Sequence, residues 1–146
     1  MRYDDLSDEV LLCLCVYREA RGEADLGKRG VAHTVLNRVK ADKFFGHDIR
    51  SVILKPWQFS SFNANDPNAD LWPPGQNNTA WAECTEIVAK VLSGQDADIT
   101  NGAVYYHDVS LNQPPAVWGS VELTLETGRL KFYRPAPAEF PAMEDV

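Results

Sequence analysis

Val10-Leu11-Leu12-Cys13-Leu14-Cys15-Val16-Tyr17-Arg18-Glu19-Ala20-Arg21-Gly22-Glu23 passes from an apolar run to a charged end within one segment. Ser7 ahead of it supplies a capping hydroxyl, and Asp8 and Glu9 put carboxylates at the positive end of a helix dipole. Val10, Leu11, Leu14 and Cys15 keep helical spacing, and Gly22 makes a natural stop. The segment therefore reads as a buried helix carrying Glu19 near its C-terminus. A carboxylate there meets the negative end of the dipole, and partial burial also disfavours its charged form. Both effects favour a carboxyl that keeps its proton near neutral pH, as a general acid must. The competing reading is a solvated cluster in which Arg18, Glu19, Arg21 and Glu23 pair among themselves.

Outward from this helix, a second is expected from about Asp25 to Lys40. Val31, Val35 and Val39 fall at i, i+4 and i+8, with Ala32 and Leu36 beside them. A third runs from Thr79 to Ser93, where Trp81, Cys84, Ile87, Val88, Val91 and Leu92 keep the period and Gly94 ends it. Between them, residues 56–78 hold Pro56, Pro67, Pro73, Pro74 and Gly75 among Asn and Asp. Irregular segments of that length in compact domains tend to carry function. After the Asn101-Gly102 turn, residues 103–107 read as a strand, with short β pieces around Val117-Trp118 and residues 130–133. Helices first and strands later predict an α+β chain, a mostly helical single domain over residues 1–134 with a small β region. Residues 135–146, with three prolines, read as an extended tail.

The 146 residues carry a net charge of −7, with 45% hydrophobic and 24% charged residues, which is a globular composition. The acidic balance disfavours a nucleic-acid binder or a polybasic membrane-surface protein. The apolar run at 10–16 is too short to span a bilayer, so no stable membrane insertion is expected. Asp4, Asp5, Asp8 and Glu9 precede that run and no small-residue cleavage site ends it, so no secretory signal is read. Cys13 and Cys15 point about 200° apart on a helix. With Cys84 and the singly placed His33, His47 and His107, they lack zinc spacing. Three buried thiols are expected, with no metal and no cofactor, in a monomeric chain.

Trp57, Gln58, Phe59, Ser60 and Phe62, then Trp72, Asn77 and Asn78, and later Tyr105, Tyr106, Trp118, Phe132 and Tyr133 mix aromatic, amide and hydroxyl groups. A carbohydrate cleft needs flat apolar faces for pyranose rings and directed donors and acceptors for sugar oxygens. Some of these aromatics are core filler, and strand alternation lets only one of Tyr105 and Tyr106 line a cleft.

Glu19-Ala20-Arg21-Gly22-Glu23, Gly27, Val31-Ala32, Val35-Leu36-Asn37-Arg38-Val39, Val52-Ile53 and Gln58-Phe59-Ser60 occur in this order. They are followed by Gly102-Ala103-Val104-Tyr105-Tyr106, Trp118 and Phe132-Tyr133. The ordered set, from about residue 10 to 134, resembles the cell-wall hydrolase family of spore cortex-lytic enzymes. The resemblance implies a lysozyme-like fold that cleaves peptidoglycan glycan strands between N-acetylmuramic acid and N-acetylglucosamine. It also implies one catalytic glutamate, here Glu19. One departure is visible: the family often closes on Ile-Gly-x-His-x-Phe-Tyr, where this chain has Thr127-Gly128-Arg129-Leu130-Lys131-Phe132-Tyr133. Leu130 stands where that histidine would be, and the inserted-looking stretch 65–76 is a second difference.

The resemblance is to lytic transglycosylases, and the expected mechanism follows it. Protonated Glu19 donates to the glycosidic oxygen as an oxocarbenium-like centre develops. Glu23 lies at i+4 and projects beside Glu19, not across a substrate from it, which favours a single-acid scheme. Glu23, Gln58, Ser60, Tyr105, Tyr106 and Trp118 are the expected substrate contacts; Glu23 also reads as orienting Arg21 or the turn. Rival expectations are a hydrolytic muramidase using the same acid, and a non-catalytic wall-binding or structural virion protein. Without a leader, the expected setting is an endolysin released during phage lysis, or a component of a phage-like particle.

Overall fold

The computed structural model describes residues 1–41 and 44–137. Helix α1 (Asp8–Ala20) starts as its sequence dictates, with the Ser7 hydroxyl accepting the Val10 N–H at 3.2 Å. Leu11, Leu12, Leu14, Cys15 and Val16 have no exposed surface. A helix apolar on every side must lie inside the molecule. Helices α2 (Asp25–Ala41), α3 (Ile49–Leu54) and α4 (Thr79–Leu92) pack around it. On α2, Val31 and Val35 are fully buried, as the i, i+4 stripe predicts. On α4, Asn78 caps the Trp81 N–H at 2.9 Å, and Trp81, Cys84, Val88 and Val91 turn inward. All three cysteines are free and buried.

Two elements escaped the sequence pattern. Helix α3 has six residues, too few to show a period, although Asp48 and Ser51 form a capping box at its start. Strand β2 (Val121–Thr127) is half-exposed, and a bulge between Leu123 and Leu125 breaks its alternation. The expected β piece at Val117-Trp118 is instead a 3-10 turn, Ala116–Trp118, ending at Gly119 with φ of 74°. Strands β1 (Tyr105–Asp108) and β3 (Leu130–Pro135) form where expected.

The sheet has order β1-β3-β2 with both pairs antiparallel, so β1 has a free edge. Central β3 buries Leu130 and Phe132 in the core, while Tyr133, also buried, stacks on His107 with centroids 5.2 Å apart. Contact with α2 is close: a Cβ added at Gly30 would sit 2.5 Å from the Phe132 ring. Pro135 ends β3 and does not begin a tail; of the expected tail, residues 138–146 lie outside the described residues.

Candidate active site

Glu19 occupies the last turn of α1, half-buried, where the apolar helix emerges from the core. Its neighbour Arg18 points the other way and is 3% exposed. The Arg18 guanidinium donates to the carbonyls of Leu71 (2.8 Å), Ala69 (3.1 Å) and Ser61 (3.3 Å) and to the Tyr3 hydroxyl (2.8 Å). It also lies over the rings of Tyr3, Phe62 and Trp72. A buried cation thus gathers the long irregular segment onto α1, supplying its inward carbonyls with charge-assisted partners. The same anchoring sets Ser61 beside Glu19. Ser61 Oγ donates to Glu19 Oε2 at 2.5 Å, and the Ser61 N–H approaches the same oxygen at 3.4 Å.

The other carboxyl oxygen is reached from β1, where the Tyr106 hydroxyl donates to Glu19 Oε1. Burial, and then the Glu19 charge, push the Tyr106 phenol well above its ordinary pKa, so it keeps its proton. Helix α2 places this strand. Asn37 Nδ2 donates to Asp98 (2.9 Å) and to the Ala103 carbonyl (3.0 Å), and Arg38 Nε donates to the Val104 carbonyl at 2.7 Å. The Asn37-Arg38 pair therefore aligns the approach to Tyr106.

Glu19 opens on a cleft of about 330 Å3, lined also by Gln58, Ser60, Tyr106, His107 and Asp108. A second cleft, about 350 Å3, shares Arg38, Trp57, Gln58 and Tyr106 with the first and adds Tyr105 and Trp118. The structure thus gathers Glu19, Gln58, Ser60 and Tyr106 in one cleft and sets Tyr105 and Trp118 in the adjoining one. Both tyrosines line the second cleft, contrary to the alternation expectation. Ser60 lines the cleft, but the serine that touches Glu19 is its neighbour Ser61.

Glu23 does not line either cleft. Its carboxylate accepts the Arg129 N–H at 3.1 Å, and a Cβ on Gly128 (φ 54°) would lie 2.1 Å from its Oε1. It pins the β2–β3 turn, which sets it apart from the other residues expected to contact substrate. Asp108 went unread as a site residue. Arg129 grips it through Nε at 3.0 Å and Nη2 at 2.7 Å, and with the Ser110 N–H holds its carboxyl well below the usual range. Leu130 lines the Glu19 cleft opposite Asp108 in register, and the cleft's imidazole is His107, whose Nε2 lies 2.9 Å from the Tyr133 hydroxyl.

Trp57, named in the sequence only within the stock of cleft aromatics, lines both clefts. It is 76% exposed and sits at φ of 69°, a conformation that costs a bulky residue roughly 1–3 kcal/mol. Among the described residues, no group of three or more His, Cys, Asp or Glu could hold a metal, and no helix is long and apolar enough to cross a membrane.

The profile of the cell wall hydrolase family matches residues 22–133. The chain belongs to the cell wall hydrolase family. The match to this cell wall hydrolase begins just past Glu19. The spore cortex-lytic enzyme of Bacillus subtilis strain 168 is 30% identical over 117 residues, 80% of this chain and 34% of the relative. The chain thus spans about a third of that relative's length. The crystal structure of the catalytic domain of Bacillus cereus SleB superposes with a TM-score of 0.67 at 28% identity, covering 87% of this chain and 89% of that one. The catalytic domain of the germination-specific lytic transglycosylase SleB from Bacillus anthracis gives 0.67 at 24% identity, covering 92% and 100%. The α+β fold of this cell wall hydrolase is that of the SleB catalytic domain.

Proposed function

We propose that this cell wall hydrolase cuts peptidoglycan glycan strands between N-acetylmuramic acid and N-acetylglucosamine by lytic transglycosylation, with Glu19 as acid and then base. One observation carries the reading: both oxygens of Glu19 face hydroxyls, from Ser61 and Tyr106. A hydroxyl donates or accepts by rotating, so the same two partners suit the carboxylic acid and the carboxylate. Asp108 in the same cleft is locked in a charged pair with Arg129 and has no such freedom.

Glu19 gives its proton to the glycosidic oxygen, the bond from that oxygen to C1 of the muramoyl ring breaks, and positive charge develops at C1. The C6 hydroxyl of the same ring then attacks C1 and returns its proton to Glu19. The product is a 1,6-anhydromuramoyl end, with no water consumed. Gln58 and Ser60, on the cleft wall, supply an amide and a hydroxyl for sugar oxygens. The names of the matching family and of the Bacillus subtilis relative, a cell wall hydrolase and a spore cortex-lytic enzyme, support a wall-degrading activity.

Asp108 keeps a second reading in play, because it is a second carboxylate lining the Glu19 cleft. As a base for water it would make the enzyme a hydrolytic muramidase. Mass spectrometry of digested peptidoglycan separates the two: anhydro ends are expected, and reducing ends would instead support hydrolysis. Glu19→Gln should release no fragments while keeping its circular dichroism. Full turbidity clearing by that variant would overturn the assignment.

A further inference from the structure

Trp57 stands where the Glu19 cleft meets the second cleft, and it also walls a third depression with Leu54, Pro56 and Phe62. A tryptophan held at positive φ with most of its ring in solvent gains little from the core to offset that backbone. Trp118, which also lines the second cleft, stacks on Tyr105 with centroids 4.6 Å apart and planes 10° from parallel. Phe45 abuts the Tyr105 ring at 5.8 Å, and Tyr133 lies 5.8 Å from Trp118. Trp118 is therefore pre-packed, while Trp57, which lines the same cleft, is free-standing. Gln58 supplies an amide at the junction.

We propose that the slot between Trp57 and Trp118 is a second saccharide subsite continuous with the Glu19 cleft, in which Trp57 stacks on an N-acetylhexosamine ring. The inference rests on the glycan-cleaving reading given above. The occupant is argued from continuity: the two clefts share four wall residues, so a chain of linked rings entering one extends into the other. The slot's volume, about 350 Å3, is at the small end for a ligand site and suits one ring more than a folded chain. Trp57 is thus a residue that sets preference for longer glycans, and it takes no part in bond breaking.

The test compares wild type with Trp57→Gly, which accepts φ of 69° without strain, and with Trp57→Phe, which keeps a ring. Glycan cleavage is followed kinetically, and binding of N-acetylglucosamine di- and tetrasaccharides to each chain on a Glu19→Gln background is followed by calorimetry. Trp57→Gly should raise KM and weaken tetrasaccharide binding about tenfold, with kcat unchanged, since stacking away from the reacting bond is uniform binding. Disaccharide affinity should change less, and Trp57→Phe should recover most of the loss. Unchanged KM and tetrasaccharide affinity in Trp57→Gly, beside an active wild type, would overturn the subsite alone. A wild-type chain that neither cleaves nor binds any glycan would overturn the functional reading, and the subsite with it.

Discussion

At the scale of single residues, the proposed chemistry turns on which hydroxyls meet Glu19. Ser60 and Ser61 are adjacent, yet the first is exposed on the cleft rim and the second is 2% exposed with its hydroxyl on the carboxyl. Ser61→Ala should therefore lower kcat about tenfold to a hundredfold with KM little changed, because it strips a partner from the acid and not from the sugar. Ser60→Ala should cost less and act mainly on KM. Initial rates of glycan cleavage for both variants check the pair, and the reverse ranking would reassign the two serines. Tyr106→Phe removes the partner of the other oxygen, and should lower kcat with KM little changed, as initial rates of glycan cleavage would show.

At the scale of elements, the helical frame and the irregular segment meet through one cation. Arg18 satisfies three backbone carbonyls of residues 61–71 and sits among three aromatic rings. Arg18→Met should destabilise the fold by about 2–4 kcal/mol, since those carbonyls lose charged partners inside the protein. Urea denaturation measures that loss, and limited proteolysis should show new cuts within residues 60–72. Gly30 governs the other junction, between α2 and β3. Gly30→Ala drives a Cβ towards the fully buried Phe132 ring and should cost roughly 1–3 kcal/mol by overpacking, despite alanine's better helix propensity. An equal or higher melting temperature for that variant would show that the ring yields.

At the scale of the whole molecule, carboxylates tie α2 to the chain leading into β1. Burial works against the charged form of Asp96, but hydrogen bonds from His33 (2.7 Å) and Arg29 outweigh it and leave its pKa lowered. Asp98 is likewise lowered: burial opposes, while hydrogen bonds from Thr100 and Asn37 and the Thr100 and Gly102 N–H groups prevail. A carboxylate with a depressed folded pKa stabilises fully above its unfolded value, here 3.8, and that stability is lost as pH falls through the folded pKa. Thermal unfolding should therefore be steady from pH 7 to about 5 and drop steeply below about 4. Asp96→Asn and Asp98→Asn together should flatten that drop.

Three long helices and two of the three strands were legible in the chain because period, capping residues and turn glycines act locally. Helix α3 and strand β2 were not, being too short or too broken by a bulge. Glu19 was legible as a candidate because its place at the end of an apolar helix is a local fact. Local pattern alone sets the buried central helix, a glutamate on its last turn, and a stock of aromatics and amides suited to a cleft. Chain packing brings Ser61, 42 residues away, and Tyr106, 87 residues away, onto that glutamate, while Glu23, close in sequence, meets a hairpin turn. Glu23 parts from Glu19 because α1 ends at Ala20, and contacts between distant segments depend on how loop, helix and sheet edge close together, which no local pattern encodes.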